Sequence, residues 1–76
     1  MGWQNELQDH VIQSLKRDYP KGTRIECVWM DDFQAVPEGT LGTVTCVDDI
    51  GTIHVSWDNG SGLGLVPGTD RFRKVQ

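Results

Sequence analysis

The sequence predicts a mainly β fold: one N-terminal amphipathic α-helix followed by a small antiparallel β-barrel of about five strands. Three observations carry this. Apolar residues recur every four positions at the start of the chain, and after Gly22 the period falls to two. Glycine, proline and aspartate then punctuate the chain at short intervals, as tight turns between short strands require. At 76 residues the chain suits a single domain over 1–76, with the helix at 3–18 and the barrel at 22–75. A chain this short buries only roughly 60% of its unfolded surface, which leaves little room for both a core and a deep pocket.

Trp3, Leu7, Val11 and Leu15, with Ile12 beside them, form the helical stripe that is expected to dock on the barrel. Gln4, Glu6, Gln8, Asp9, Gln13, Ser14, Lys16 and Arg17 belong to the wet face, with acids before bases as the helix dipole favours. Pro20 ends the helix, because the residue before a proline is pushed out of the helical region. Ile25, Cys27 and Trp29 then alternate with Arg24, Glu26 and Val28 as a first strand. MDDFQAVPEG (30–39) is a long polar loop, and 40–47 a second strand rich in β-branched residues. Asp48-Asp49-Ile50-Gly51 is a turn. The third strand, 52–57, sets Ile53, Val55 and Trp57 on a core face and His54 toward solvent. Asn59-Gly60 signals a hairpin, followed by a fourth strand at 62–66, a turn at Pro67-Gly68 and a short fifth strand at 71–75.

Charge narrows the function classes. The net charge is −4, which disfavours a general nucleic-acid binder. All seven basic residues lie in two clusters, Lys16, Arg17, Lys21, Arg24 and Arg71, Arg73, Lys74, and between Ile25 and Asp70 there is no Lys or Arg. If the first and last strands run side by side, these residues share one basic strip. The strip either offsets nearby acids through weak surface pairs or tracks phosphates weakly. No apolar run approaches the ~20 residues of a membrane helix. MGWQNELQDH lacks the parts of a signal peptide, and MGWQNE departs from the myristoylation pattern at Glu6, so no membrane association is expected and the expected location is the cytoplasm.

Several motifs invite chemistry and do not support it. Gly60-Ser-Gly62-Leu-Gly64 lacks nucleotide-loop spacing and opens no helix. Asp31-Asp32, Asp48-Asp49 and Asp58 lack the calcium-loop spacing and read as turn aspartates that bond their own backbone. Cys27, Cys46, His10 and His54 contain no paired spacing to nucleate zinc, so no metal and no cofactor is expected. Both cysteines read as reduced core residues. A Cys–His nucleophile lacks a group to orient its base, and no enzyme is expected. The aromatics are more informative. Trp57 belongs with the core, whereas Trp29 and Phe33 flank the long loop beside Asp31 and Asp32. They serve either as barrel-lid packing or as a surface for a cationic or proline-bearing peptide.

The ordered motifs YPKGTR, MDD, PEGTLGTV, VDDIGTIHVSWDNGS and PGTDRF cover 19–75. In these the chain resembles the small bacterial and phage proteins of the domain of unknown function 4314 family, in whose members a similar helix precedes the motifs. The resemblance implies an SH3-like barrel, a phage or mobile-element association and no known activity. It also argues against an essential thiol at Cys46, where family members often carry glycine. GTLGTV (39–44) is loosely similar to the glycine-bearing turn of KOW-type barrels from transcription and ribosomal proteins. The function expected is therefore a non-enzymatic protein-interaction module whose partner is an unidentified protein, with Trp29, Asp31, Asp32 and Phe33 as its binding surface. The alternative is a weak nucleic-acid-binding accessory domain using the basic strip Lys16, Arg17, Lys21, Arg24, Arg71, Arg73 and Lys74.

Overall fold

In the computed structural model the backbone is described for residues 2–75 and side chains for 9–75. One helix, α1 (Gly2–Asp18), precedes four strands: β1 (Arg24–Trp29), β2 (Leu41–Val47), β3 (Ile53–Trp57) and β4 (Arg71–Lys74). The three strand pairings are antiparallel, in the order β3-β2-β1-β4. The first and last strands do lie side by side, with Glu26 opposite Arg73 and Cys27 opposite Phe72.

The expected five-stranded closed barrel is corrected to four strands in one open sheet. The segment foreseen as a strand at 62–66 makes only one bridge, in which Leu65 and Ile53 exchange N–H···O bonds of 2.8 and 2.9 Å. Gly62 and Gly64 interrupt its side-chain surface, and Pro67 has no N–H to donate. The chain then turns at 66–70 and returns to the far edge of the sheet as β4. With β3 and β4 at opposite edges, no strand among the described residues closes the ring.

The core follows the alternation. Ile25, Cys27, Val44, Ile53, Val55, Trp57 and Leu65 are buried, and the Trp57 indole N–H donates to the Leu63 carbonyl at 2.8 Å. Gly42 lies beneath this tryptophan: a β-carbon there would come within 2.7 Å of the ring and 2.6 Å of Val55. Met30 and Val36, at either end of the long loop, are buried as well.

Cys27 is a buried free thiol, but Cys46, also free, is exposed, against the expectation of two core cysteines. The reason is a β-bulge at Thr45: Val44 pairs with Val55, yet Cys46 pairs with His54, so the alternation slips and Val47 returns to the core.

Helix docking also differs from the four-residue stripe. Trp3 and Leu7 lie outside the residues whose side chains are described. Val11 is exposed, and it is Ile12 that is buried, with Leu15 and Tyr19 packed at the edge of the core. The helix ends as foreseen. Tyr19 N–H still donates to Leu15, and after Pro20 the chain is tied to β2 by Gly22 N–H to Val44 O and Val44 N–H to Thr23 O, both 2.8 Å. Among the described residues no helix is long and apolar enough to cross a membrane.

Candidate functional site

The loop between β1 and β2 is locked at both ends. At its start the Asp31 N–H donates to Asp70 Oδ1 at 2.9 Å, while Asp70 Oδ2 accepts the Val66 N–H at 2.8 Å. Asp70 is buried, so one carboxylate ties the end of β1 to the 66–70 turn with both oxygens occupied. Inside the loop Asp32 Oδ1 accepts the Gln34 N–H at 2.8 Å, and the Asp32 carbonyl accepts the Ala35 N–H at 3.0 Å. At the loop's end Gly39 N–H donates to the Cys27 carbonyl and Cys27 N–H to the Thr40 carbonyl, each 2.8 Å.

On this anchored loop the aromatics stand in solvent: Trp29 is 53% exposed and Phe33 97%. They are not lid packing. A bulge at Val28 shifts the register so that Trp29 sits opposite Arg71, off the alternation that buries Ile25 and Cys27. Asp31, Asp32 and Glu38 are exposed around them. The four residues expected to form the binding surface therefore come from one short, internally bonded stretch. A shallow cavity of about 550 Å³ adjoins it, lined by Val28, Gly68, Asp70, Arg71 and Phe72. Asp70 is the residue sequence reasoning missed, because one of its two partners, Asp31, lies 39 residues away in the chain.

The basic strip is largely engaged. The Arg24 guanidinium makes two parallel bonds to Asp58, of 2.9 and 2.8 Å, and a third to Thr43 Oγ1. That pairing holds the Asp58 carboxyl below the usual carboxylate range and raises Arg24. Arg73 pairs with Glu26 at 2.8 Å, Lys16 with Asp49 at 2.7 Å and Arg17 with Asp18 at 3.4 Å. The Lys74 ammonium lies 4.9 Å from the centre of the Tyr19 ring, which itself meets Phe72 edge-on at 5.5 Å. Lys21 and Arg71 are exposed.

The remaining chemistry-bearing groups have structural partners. Contrary to the expectation that nothing orients it, His54 is held by Asp48, Nε2 to Oδ2 at 2.8 Å, and so it is only partly turned to solvent. Asp48 Oδ1 also accepts the N–H groups of Ile50 and Thr52, which closes the β2–β3 turn in the way the turn-aspartate reading foresaw. The histidine bond first, and these backbone donors with it, lower the Asp48 pKa. Cys46 lies opposite His54 in the register, but among the described residues its sulfur makes no hydrogen bond. The Cys27 Sγ is 3.7 Å from the Val36 carbonyl. Burial, then the charges of Asp70, Glu38 and Glu26, push its thiol pKa up, which disfavours the nucleophilic thiolate. Among the described residues no cluster of His, Cys, Asp and Glu is arranged to hold a metal.

No curated protein and no solved structure matches the chain. The family whose model does match is described as Domain of unknown function (DUF4314), and the match runs over residues 8–75, from the middle of α1 to the residue after β4. A match over nearly the whole chain, through helix, sheet and the loop that carries Trp29 and Phe33, makes this protein a member of the DUF4314 family.

Proposed function

We propose that the chain is a non-enzymatic, cytoplasmic protein-interaction module that takes a cationic segment of a partner protein on the loop bearing Trp29, Asp31, Asp32 and Phe33. The observation that supports this is the exposure of two aromatic side chains on a loop whose backbone is fixed. Phe33 is 97% exposed although Met30 and Val36, three residues away on either side, are buried. A fixed, solvent-facing aromatic loses little entropy on binding. Trp29 and Phe33 offer ring faces to an ammonium or guanidinium group, and Asp31, Asp32 and Glu38 supply the opposite charge. Phosphate binding is the lesser reading, since five of the seven basic residues already face an acid or an aromatic ring.

The experiment is capture of partners from the native cell, with and without nuclease, by the parent and by Trp29→Ala and Phe33→Ala. Both aromatics are exposed, so both variants should fold and melt near the parent. Capture that survives nuclease and is lost in both folded variants is the expected result. Capture abolished by nuclease transfers the function to the basic strip. Capture retained by both variants refutes the proposed surface.

A further inference from the structure

Asn59-Gly60 lies at the tip of a tight loop that leaves β3. The Trp57 N–H donates to the Ser61 carbonyl at 3.0 Å, and the Gly60 N–H to the Trp57 carbonyl at 2.9 Å. Gly60 has a φ of +92°, whereas Asn59 keeps a negative φ. This is a three-residue loop, a type I turn followed by a left-handed glycine. Asp58, Asn59 and Gly60 are all exposed, and a β-carbon built on Gly60 would meet nothing within 4 Å. Asn59 Oδ1 accepts the Ser61 N–H at 3.0 Å. On the other side of the tip, Asp58 is held by the two bonds from Arg24.

The side-chain carboxamide carbon of an asparagine can close a five-membered ring with the amide nitrogen of the next residue. A side chain on that next residue shields the nitrogen and restrains its backbone; Gly60 does neither. We propose that Asn59 is a self-modification site, converted to aspartyl and isoaspartyl forms with water as co-reactant, and that the native loop holds the conversion back. Base removes the Gly60 amide proton, and the nitrogen bonds to Asn59 Cγ. The Cγ–Nδ2 bond then breaks, and Nδ2 leaves as ammonia with a proton returned to it. Water opens the cyclic imide at either of its carbonyls. Attack at Cγ restores the ordinary main chain with an aspartyl residue at position 59. Attack at the main-chain carbonyl leaves the chain running through Cβ and Cγ, one carbon longer. Nothing is oxidised or reduced.

In the folded loop both reacting groups are engaged, the Gly60 N–H on the Trp57 carbonyl and the Asn59 carboxamide on the Ser61 N–H. The nitrogen meets Cγ only when those bonds part, so ring closure waits on local opening of the turn. The conversion is then a one-way record of how often this turn opens. Its two products differ in consequence. The aspartyl form keeps an acceptor for the Ser61 N–H. The isoaspartyl form lengthens the loop and breaks the register that joins Trp57 to Gly60 and Ser61.

The test is to age the full chain at mildly alkaline pH, folded in buffer and unfolded in guanidinium chloride, and to follow the peptide containing Asn59 by mass spectrometry. Chromatography separates its aspartyl and isoaspartyl forms, with the peptide from Asn59→Asp as the standard for the first. Asn5, the other asparagine of the chain and followed by Glu6, is the internal control. In the unfolded chain Asn59 should convert to both forms while Asn5 stays intact. In the folded chain the same conversion should run at least about tenfold more slowly. An Asn59 that survives in the unfolded chain overturns the site, as does an Asn5 that converts equally fast. Equal rates in the folded and unfolded chains overturn the protection by the loop. The purified isoaspartyl form should melt below the parent and Asn59→Asp close to it; an isoaspartyl form that melts with the parent overturns the assigned consequence.

Discussion

Replacing Asp70 by alanine removes the acceptor of two backbone donors at once. The carboxylate takes the Asp31 N–H at 2.9 Å on one oxygen and the Val66 N–H at 2.8 Å on the other. A hydrogen bond to a charged acceptor contributes about 1.5–3 kcal/mol, so the substitution should cost about 3 kcal/mol or somewhat more. Folding stabilities of roughly 0.05–0.15 kcal/mol per residue put this chain at roughly 4–11 kcal/mol, of which 3 is a large share. The melting temperature should fall by roughly 12–24 °C. Asp70→Asn should be nearly as damaging, because both sites on the carboxylate face N–H donors and the amide offers an oxygen to only one of them. Urea unfolding followed by tryptophan fluorescence measures both variants, since the buried Trp57 reports the core. If Asp70→Asn unfolds at the parent's midpoint while Asp70→Ala is weakened, only one of the two bonds matters. If both variants match the parent, the carboxylate does not hold the loop and the argument for a fixed aromatic surface falls with it.

Two further outcomes are expected. In the native protein Cys46 should react rapidly with a thiol reagent and Cys27 only on the timescale of opening, with two thiols found after unfolding; equal rates for the two would contradict the bulge at Thr45. Asp48 and Asp58 have depressed pKa values in the folded state, through His54 and Arg24 respectively. Their contribution is therefore present above the unfolded carboxylate range of about pH 4 and lost as pH falls through the lower folded values. Melting temperature should hold from neutral pH down to about pH 5 and decline below about pH 4. Asp58→Asn should flatten that decline, and an unchanged acid limb would remove the Arg24 pair from the account.

The alternation of Ile25 with Cys27, and of Ile53, Val55 and Trp57, was legible because a half-buried strand can satisfy a period of two in only one way. The helix was legible from its spacing and from Pro20. What failed to show were features that depend on distant partners. The bulges at Val28 and Thr45 set two residues against one, and nothing in VW or TC announces that. They decide that Trp29 faces solvent and that Cys46 leaves the core. Asp70 looks like one more surface acid because the donor that fixes the loop, the Asp31 N–H, lies 39 residues back in the chain. The basic strip was foreseen as a strip, but its neutralisation rests on pairs such as Arg24 with Asp58, 34 residues apart. The stretch at 62–66 carried enough apolar residues to resemble a strand, and its glycines and the following proline proved stronger.

A sheet that does not close keeps an edge. β4 is one of its two edges: among the described strands it pairs only with β1, so its outward N–H and C=O groups carry no strand partner. Such a row is a template on which other chains can build fibrils. Here the row is four residues long, and three of the four, Arg71, Arg73 and Lys74, are cationic. Two copies meeting edge to edge would bring six like charges into register before a ladder of useful length had formed. The basic residues of β4 would then act as a guard on the colloidal behaviour of an acidic protein, whatever else they touch.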